Sequence, residues 1–158
     1  MANESNQSEY HRAIPYLFVR DGARAIEFYK QAFGATELVR WGGPGGGVGH
    51  AEIRIGDSPI WLADESPETG FHSPLSLGGA GVCIFLYVAD VDAAFSRAIA
   101  AGARELRPVS DQFYGDRVGT LQDPFGHVWT LATRKEDLSA DELAARAGEF
   151  QKQREGSA

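Results

Sequence analysis

Apolar and polar positions along this chain switch between a period of two and a period near 3.6, the signatures of strand and amphipathic helix. The run Ala13-Ile14-Pro15-Tyr16-Leu17-Phe18-Val19 predicts a buried strand. Asp21 stands where a helix cap belongs, and Ala25, Ile26, Tyr29, Ala32 and Phe33 then form one apolar stripe closed by Gly34. A strand over 36–41 follows. Residues 42–49 hold six glycines and one proline in eight positions, with no Lys-Ser/Thr ending and no helix after them. A flexible hairpin or lid therefore fits better than a phosphate loop. Residues 50–55 alternate polar and apolar, turn at Gly56-Asp57 and continue as a strand over 59–63. The Gly-, Pro- and Ser-rich segment 64–80 reads as a connecting loop.

The second half opens with a strand over 82–88, then Asp90 and a helix stripe of Ala94, Phe95, Ala98 and Ile99 ended by Gly102. Strands near 104–107, over 118–122 and over 127–133 complete it, the last two joined by Asp123-Pro124-Phe125-Gly126. Ser139-Ala140-Asp141-Glu142 is a capping box that starts a further helix through about Phe150. Its apolar residues Leu138, Leu143, Ala144, Ala147 and Phe150 need a surface, and a partner subunit is one source of it.

The halves match each other. Val19 and Val88 differ by 88 − 19 = 69, as do Asp21 and Asp90. Gly34-Ala35 matches Gly102-Ala103, Glu37-Leu38 matches Glu105-Leu106, and Trp61 matches Trp129, all by 68, which puts a one-residue slip in the helix. Each half reads strand–helix–strand–strand–strand, an α+β unit too small to hide its own apolar face. The expected division is a disordered leader (1–12), a first βαβββ module (13–63), a connection (64–80), a second module (81–134), and a C-terminal helix and tail (135–158), within one structural domain overall.

Composition narrows the partners. At 158 residues the length suits one domain, and 43% hydrophobic residues suffice for a packed core. The net charge of −7 argues against nucleic acid or an anionic membrane as partner. No apolar run reaches the roughly 18 residues of a membrane span. The polar start MANESNQSEYHR lacks the shape of a signal peptide, so a cytoplasmic location is expected. Cys83 is the single cysteine, which excludes an internal disulfide and a Cys-rich zinc cage.

Five motifs occur in order: Pro15-Tyr16-Leu17, Ala25-Ile26-Glu27-Phe28-Tyr29, His50-Ala51-Glu52-Ile53-Arg54-Ile55-Gly56-Asp57-Ser58, Tyr114-Gly115-Asp116-Arg117, and Asp123-Pro124-Phe125-Gly126-His127-Val128-Trp129. With the repeat, they resemble the vicinal oxygen chelate superfamily of glyoxalase I, bleomycin-resistance proteins and extradiol dioxygenases, over about residues 13–134. Within it the chain is most similar to the PhnB-like group. The resemblance implies two βαβββ modules whose curved sheets form a cup, helices outside and ligand inside, and usually a homodimer.

Alternation then sorts side chains between helix and cup. On the first strands Leu17 and Val19 face the helix, and Ile14, Tyr16 and Phe18 match Cys83, Phe85 and Tyr87 on the cup side. On the third strands His50, Glu52 and Arg54 match Val118, Thr120 and Gln122. On the fourth, Trp61 and Trp129 are expected toward the helix, and Leu62 and Thr130 inward. Four rings and one polar wall would hold a flat or apolar ligand. Tyr114 and Arg117 are placed at the cup mouth, where Asp116 and Arg117 read first as an ion pair within the loop and second as a substrate clamp.

The resemblance also implies where a metal would sit. Metal-dependent relatives carry His or Gln on one first strand, His on the other, and Glu on each fourth strand. Here those positions hold Ile14, Cys83, Trp61 or Leu62, and Thr130. No cofactor is therefore expected, and glyoxalase or dioxygenase chemistry departs from the pattern. A divalent metal displaced onto His50 and Glu52 is the alternative. Among His11, His50, His72 and His127 no pair has helical or strand ligand spacing. Cys83 reads as a small buried hydrophobe, and no serine nucleophile elbow is present.

Three functions follow. The first is a metal-free protein binding a small aromatic or cationic molecule, resembling the bleomycin-resistance branch. The second is an enzyme of lyase, isomerase or dioxygenase type, using a displaced metal or a His50/Glu52 acid–base pair. The third is a dimeric accessory domain with an empty cup.

Overall fold

A computed structural model describes residues 13–156; the leader 1–12 and the last two residues of the tail lie outside the described residues. The chain divides at Ala80/Gly81 into two compact units. The first holds β1 (Tyr16–Val19), α1 (Gly22–Phe33), β2 (Thr36–Gly42), β3 (Val48–Ile55), β4 (Ser58–Asp64) and a short helix α2 (Pro74–Leu77). The second holds β5 (Cys83–Tyr87), α3 (Val91–Ala100), β6 (Arg104–Asp111), β7 (Asp116–Gln122), β8 (Val128–Arg134) and α4 (Ala140–Glu155). The sheets run β1-β4-β3-β2 and β5-β8-β7-β6, so each module returns its last strand, parallel, beside its first. This is the expected α+β architecture of two βαβββ modules with an added C-terminal helix.

Local chemistry sets the helix ends. Asp21 Oδ1 accepts from the Arg24 amide at 3.0 Å, and Asp90 Oδ1 from the Ala93 amide at 3.1 Å. Gly34 closes α1 at φ 68°, a left-handed conformation that glycine takes without a Cβ penalty. The α1 stripe is buried against one face of its sheet, with Tyr29, Ile26, Ile53, Leu62 and Val19 among the fully enclosed side chains. Each stabilises the module by about 1.5–3 kcal/mol.

The glycine-rich segment is the β2–β3 hairpin connection. It makes a 3₁₀ turn at Pro44–Gly46, the Gly43 amide donates to the Gly47 carbonyl at 2.8 Å, and Val48 and Gly49 already belong to β3. Asp64 at the end of β4 accepts from the Gly22 and Val48 amides, tying this connection to the start of α1. A Cβ at Gly47 would collide with the Asp64 carboxylate, so close approach demands glycine there.

The segment 64–80 is more ordered in its conformation than a plain loop, with a 3₁₀ turn at Pro67–Thr69, a Ser66–Phe71 bridge and α2. Strand β6 runs four residues past the expected 104–107, to Asp111, by absorbing two register shifts. α4 runs past Phe150 to Glu155, starts with the expected capping box, and buries no residue fully. Phe150 finds part of its surface within its own unit, stacked on Phe113 at 4.7 Å. Among the described residues no helix is long and apolar enough to cross a membrane.

Candidate functional site

Each sheet has one face under its helix and one open face. In the first module the β ladders put Tyr16, Trp61 and Glu52 in one row, and Trp41 beside His50 in the next. Cα partners across a sheet point to the same side. The open face therefore carries Tyr16 and Phe18 from β1, Trp61 from β4, His50, Glu52 and Arg54 from β3, and Trp41 from β2.

This corrects the expected facing of β4. Leu62 pairs with Leu17 and Ala51, is 0% exposed, and lies under the helix; Trp61 takes the open face. The physical reason is the turn after the third strand. Ile55 and Ser58 pair across the two-residue Gly56-Asp57 turn, whereas the Asp123 amide bonds the His127 carbonyl across three residues. One extra residue in the second module raises the offset to 130 − 61 = 69, so Trp61 matches Thr130 and not Trp129. Trp129 itself faces the helix as expected, paired with Ile84 and 0% exposed.

His50 lies at the centre of the first open face, 9% exposed. Its ring stacks on Trp41 (4.6 Å, 29°) and meets the edges of Tyr16 (5.4 Å) and Trp61 (5.1 Å). The Tyr16 hydroxyl lies 2.8 Å from His50 Nδ1, and His50 Nε2 lies 3.3 Å from Glu52 Oε1. With the proton on Nε2, the imidazole donates to Glu52 and accepts from the phenol, forming one hydrogen-bonded line. Burial raises the Tyr16 pKa above its ordinary 10.0, so its phenol is protonated at neutral pH. Phe18 extends the aromatic surface, stacked between Tyr16 (4.9 Å) and Phe71 (4.5 Å). Trp41, Trp61 and Phe71 were outside the expected ring set. Trp41 and Trp61 become visible only once strand register is known, and Phe71 belongs to the connecting segment.

The open face of the second module is built differently. Cys83, Phe85 and Tyr87 line it from β5, Thr130 from β8, and Val118, Thr120 and Gln122 from β7. Cys83 is exposed, not buried as its apolar neighbours suggested, because β5 is an edge strand and its side chain lies on the uncovered face. Its Sγ lies 3.2 Å from Thr130 Oγ1, which lies 3.0 Å from Thr120 Oγ1. Asp116 is 3% exposed and accepts from the Tyr87 hydroxyl (2.7 Å) and Arg134 Nε (2.6 Å).

Asp116 and Arg117 thus do not pair with each other, because adjacent strand residues point to opposite faces. Arg117 turns toward α3, donating to Asp92 at 2.8 Å and to Asp111 at 3.1 Å, away from the open face. These bonds raise its pKa further, fixing a structural ion pair. Tyr114, half-buried before β7, packs edge-on against Phe113 at 5.3 Å.

The chain belongs to the glyoxalase/bleomycin resistance protein/dioxygenase superfamily, whose family model matches residues 11–131. It is 46% identical over 134 residues to the uncharacterized protein Rv0887c of Mycobacterium tuberculosis, covering 83% of this chain and 79% of that one. The structure of the At5g48480 product of Arabidopsis thaliana superposes with a TM-score of 0.62 at 29% identity, covering 78% of this chain and 98% of that one. TioX from Micromonospora sp. ML1 gives a TM-score of 0.61 at 25% identity, covering 82% and 100%.

The positions that hold metal in metal-dependent members do not fit one here. They carry an aliphatic Ile14, an indole at Trp61, the Cys83 thiol and the Thr130 hydroxyl, without an imidazole or carboxylate among them. Among the described residues no group of three His, Cys, Asp or Glu side chains converges as a metal cage.

Proposed function

We propose that this chain is a PhnB-like, metal-free member of its family that binds a small aromatic or cationic molecule on its open sheet faces, as a cytoplasmic homodimer. The observation that carries this reading is the cluster of rings Trp41, Tyr16, Trp61 and Phe18 around His50 and Glu52. Trp41 is 56% exposed and Tyr16 is 40% exposed, so flat surface is presented where the fold has no helix to cover it. Indole and phenol faces attract planar rings and cations, and the Glu52 carboxylate adds a fixed negative charge. The family's donor positions, filled by residues that are poor ligands, support binding without a metal. The half-exposed Leu143 and Phe150 of α4 support a subunit contact.

One observation favours a second reading, an acid–base enzyme. The Tyr16–His50–Glu52 line is the arrangement that lets a carboxylate orient an imidazole while the imidazole exchanges a proton with a phenol.

The test combines metal analysis of the purified protein with titration of its tryptophan emission by 1-methylquinolinium and by 2-naphthoate. Metal-free protein whose quenching is lost in Trp41→Ala supports the binding reading. Stoichiometric zinc, nickel, iron or manganese that disappears in His50→Gln and Glu52→Gln would overturn it in favour of the enzyme. Failure of both probes to bind also overturns it.

A further inference from the structure

The chain is acidic, and its arginines are nearly all committed. Arg20, Arg40, Arg104, Arg117, Arg134 and Arg146 donate to side chains of their own unit, Arg154 lies over Phe150, and Arg24 and Arg97 are also engaged. Among the described residues two arginines have no such partner, Arg54 and Arg107. Both are exposed, and both stand on an open sheet face, opposite Glu52's neighbour strand at Thr36 and opposite Thr120 respectively.

Arg107 stands in a built row. The ladders place Arg107 opposite Thr120, Thr120 opposite Thr130, and Thr130 opposite Phe85. One line across four strands of the second module therefore presents a guanidinium, two hydroxyls and a ring. Register shifts on both sides of Arg107 bring it into that line, between Glu105 opposite Leu121 and Ser110 opposite Val118. Phe85 is 48% exposed and Tyr87 adjoins it at 5.3 Å.

The hydroxyl protons complete the site. Cys83 Sγ, Thr130 Oγ1 and Thr120 Oγ1 form a chain of contacts at 3.2 and 3.0 Å. Neither contact has a fixed donor, and one polarity has Thr130 donating to Thr120, which leaves the Thr120 proton free for a ligand. An anion there selects that polarity, since it accepts both the last hydroxyl proton and the guanidinium fork.

We propose that the row Arg107–Thr120–Thr130–Phe85 is a carboxylate subsite, and that the ligand of this module is an aromatic acid, its ring on Phe85 and Tyr87 and its carboxylate on Arg107 and Thr120. This rests on the ligand-binding reading above and narrows its aromatic arm. Arg107, without a side-chain partner among the described residues, stands opposite Thr120 at one edge of the sheet and Phe85 stands at the other, so the row matches a planar acid that spans it. An aromatic amine would meet a like charge there.

The experiment titrates the full chain with 2-naphthoate and with 2-naphthylmethylammonium, following backbone amide shifts by NMR. The expected result is tighter binding of the acid, with shifts concentrated at Phe85, Thr120 and Thr130. Arg107→Gln weakens naphthoate by about tenfold, Thr120→Val weakens it less, and Arg154→Gln, on α4 over Phe150, leaves it unchanged. Equal naphthoate binding by wild type and Arg107→Gln overturns the subsite. So does a loss confined to Arg54→Gln. Binding of the amine alone, with shifts at His50 and Glu52, overturns the subsite while leaving the ligand-binding reading standing. Absence of binding by either probe overturns both.

Discussion

Replacing Leu62 and Trp61 by alanine, one at a time, separates the two faces of the first sheet. Leu62 is 0% exposed and is flanked in register by Leu17 and Ala51, on strands hydrogen-bonded to either side of β4. A sheet strand bonded on both edges has little room to collapse, so Leu62→Ala falls in the upper part of the Leu→Ala range, about 3–5 kcal/mol. Trp61 is half-buried, and truncation loses two edge-on ring contacts, to Tyr16 at 5.8 Å and His50 at 5.1 Å. At about 0.5–1.5 kcal/mol each, these two contacts are worth about 1–3 kcal/mol, before any area term. Urea denaturation of the full chain reads the difference. With a slope of about 2 kcal/mol/M, Leu62→Ala lowers the midpoint by roughly 2 M, and loss of the two Trp61 ring contacts alone lowers it by roughly 0.5–1.5 M. The ligand assay orders them the other way, since Trp61 faces the probe and Leu62 does not. An unaltered ligand response in Trp61→Ala, together with its loss in a folded Leu62→Ala variant, would refute the assignment of faces.

Three further outcomes are expected. Asp123 is buried and accepts from the Phe125 amide (2.9 Å), the His127 amide (3.0 Å) and Trp129 Nε1 (2.9 Å), so Asp123→Ala leaves buried donors unmet. It costs about 3–5 kcal/mol, with the loss of hydrogen-exchange protection confined to the second module. The Glu65 carboxyl is held at about 2, below its usual 4.5, first by the Ser73 amide, then by the Ser76 and Ser73 hydroxyls and Arg20. Because the folded value is the lower one, this contribution is complete above about pH 4.5 and is lost as pH falls toward about 2. Amide exchange at Ser73 and Ser76 therefore accelerates over that window, and Glu65→Gln abolishes the dependence. Light scattering is expected to give twice the 17.1 kDa chain mass, and a value near 17.1 kDa would remove the dimer.

Helix capping, hydrophobic period and duplication are local or repetitive features. They were legible because an Asp cap, a 3.6-period stripe or a glycine stop acts within a few residues. The same alternation correctly separated Tyr16 from Leu17 and Phe85 from Leu86, since a strand's two faces follow directly from sequence order. It went astray at Trp61 and Leu62, where matching two tryptophans hid a one-residue difference in turn length. With a side-chain period of two, one residue inverts a whole strand.

The sequence by itself determined the two βαβββ modules, their helix ends, the capping box of the last helix and most of the residues on each open face. Only the tertiary structure decided what those residues do to one another. It stacked Trp41 on His50, linked Tyr16 through His50 to Glu52, turned Arg117 toward Asp92, and left Arg107 opposite Thr120 with no partner among the described residues. Each of these depends on register between strands distant in the chain, which is set by turn lengths and bulges that hydrophobic periodicity does not encode.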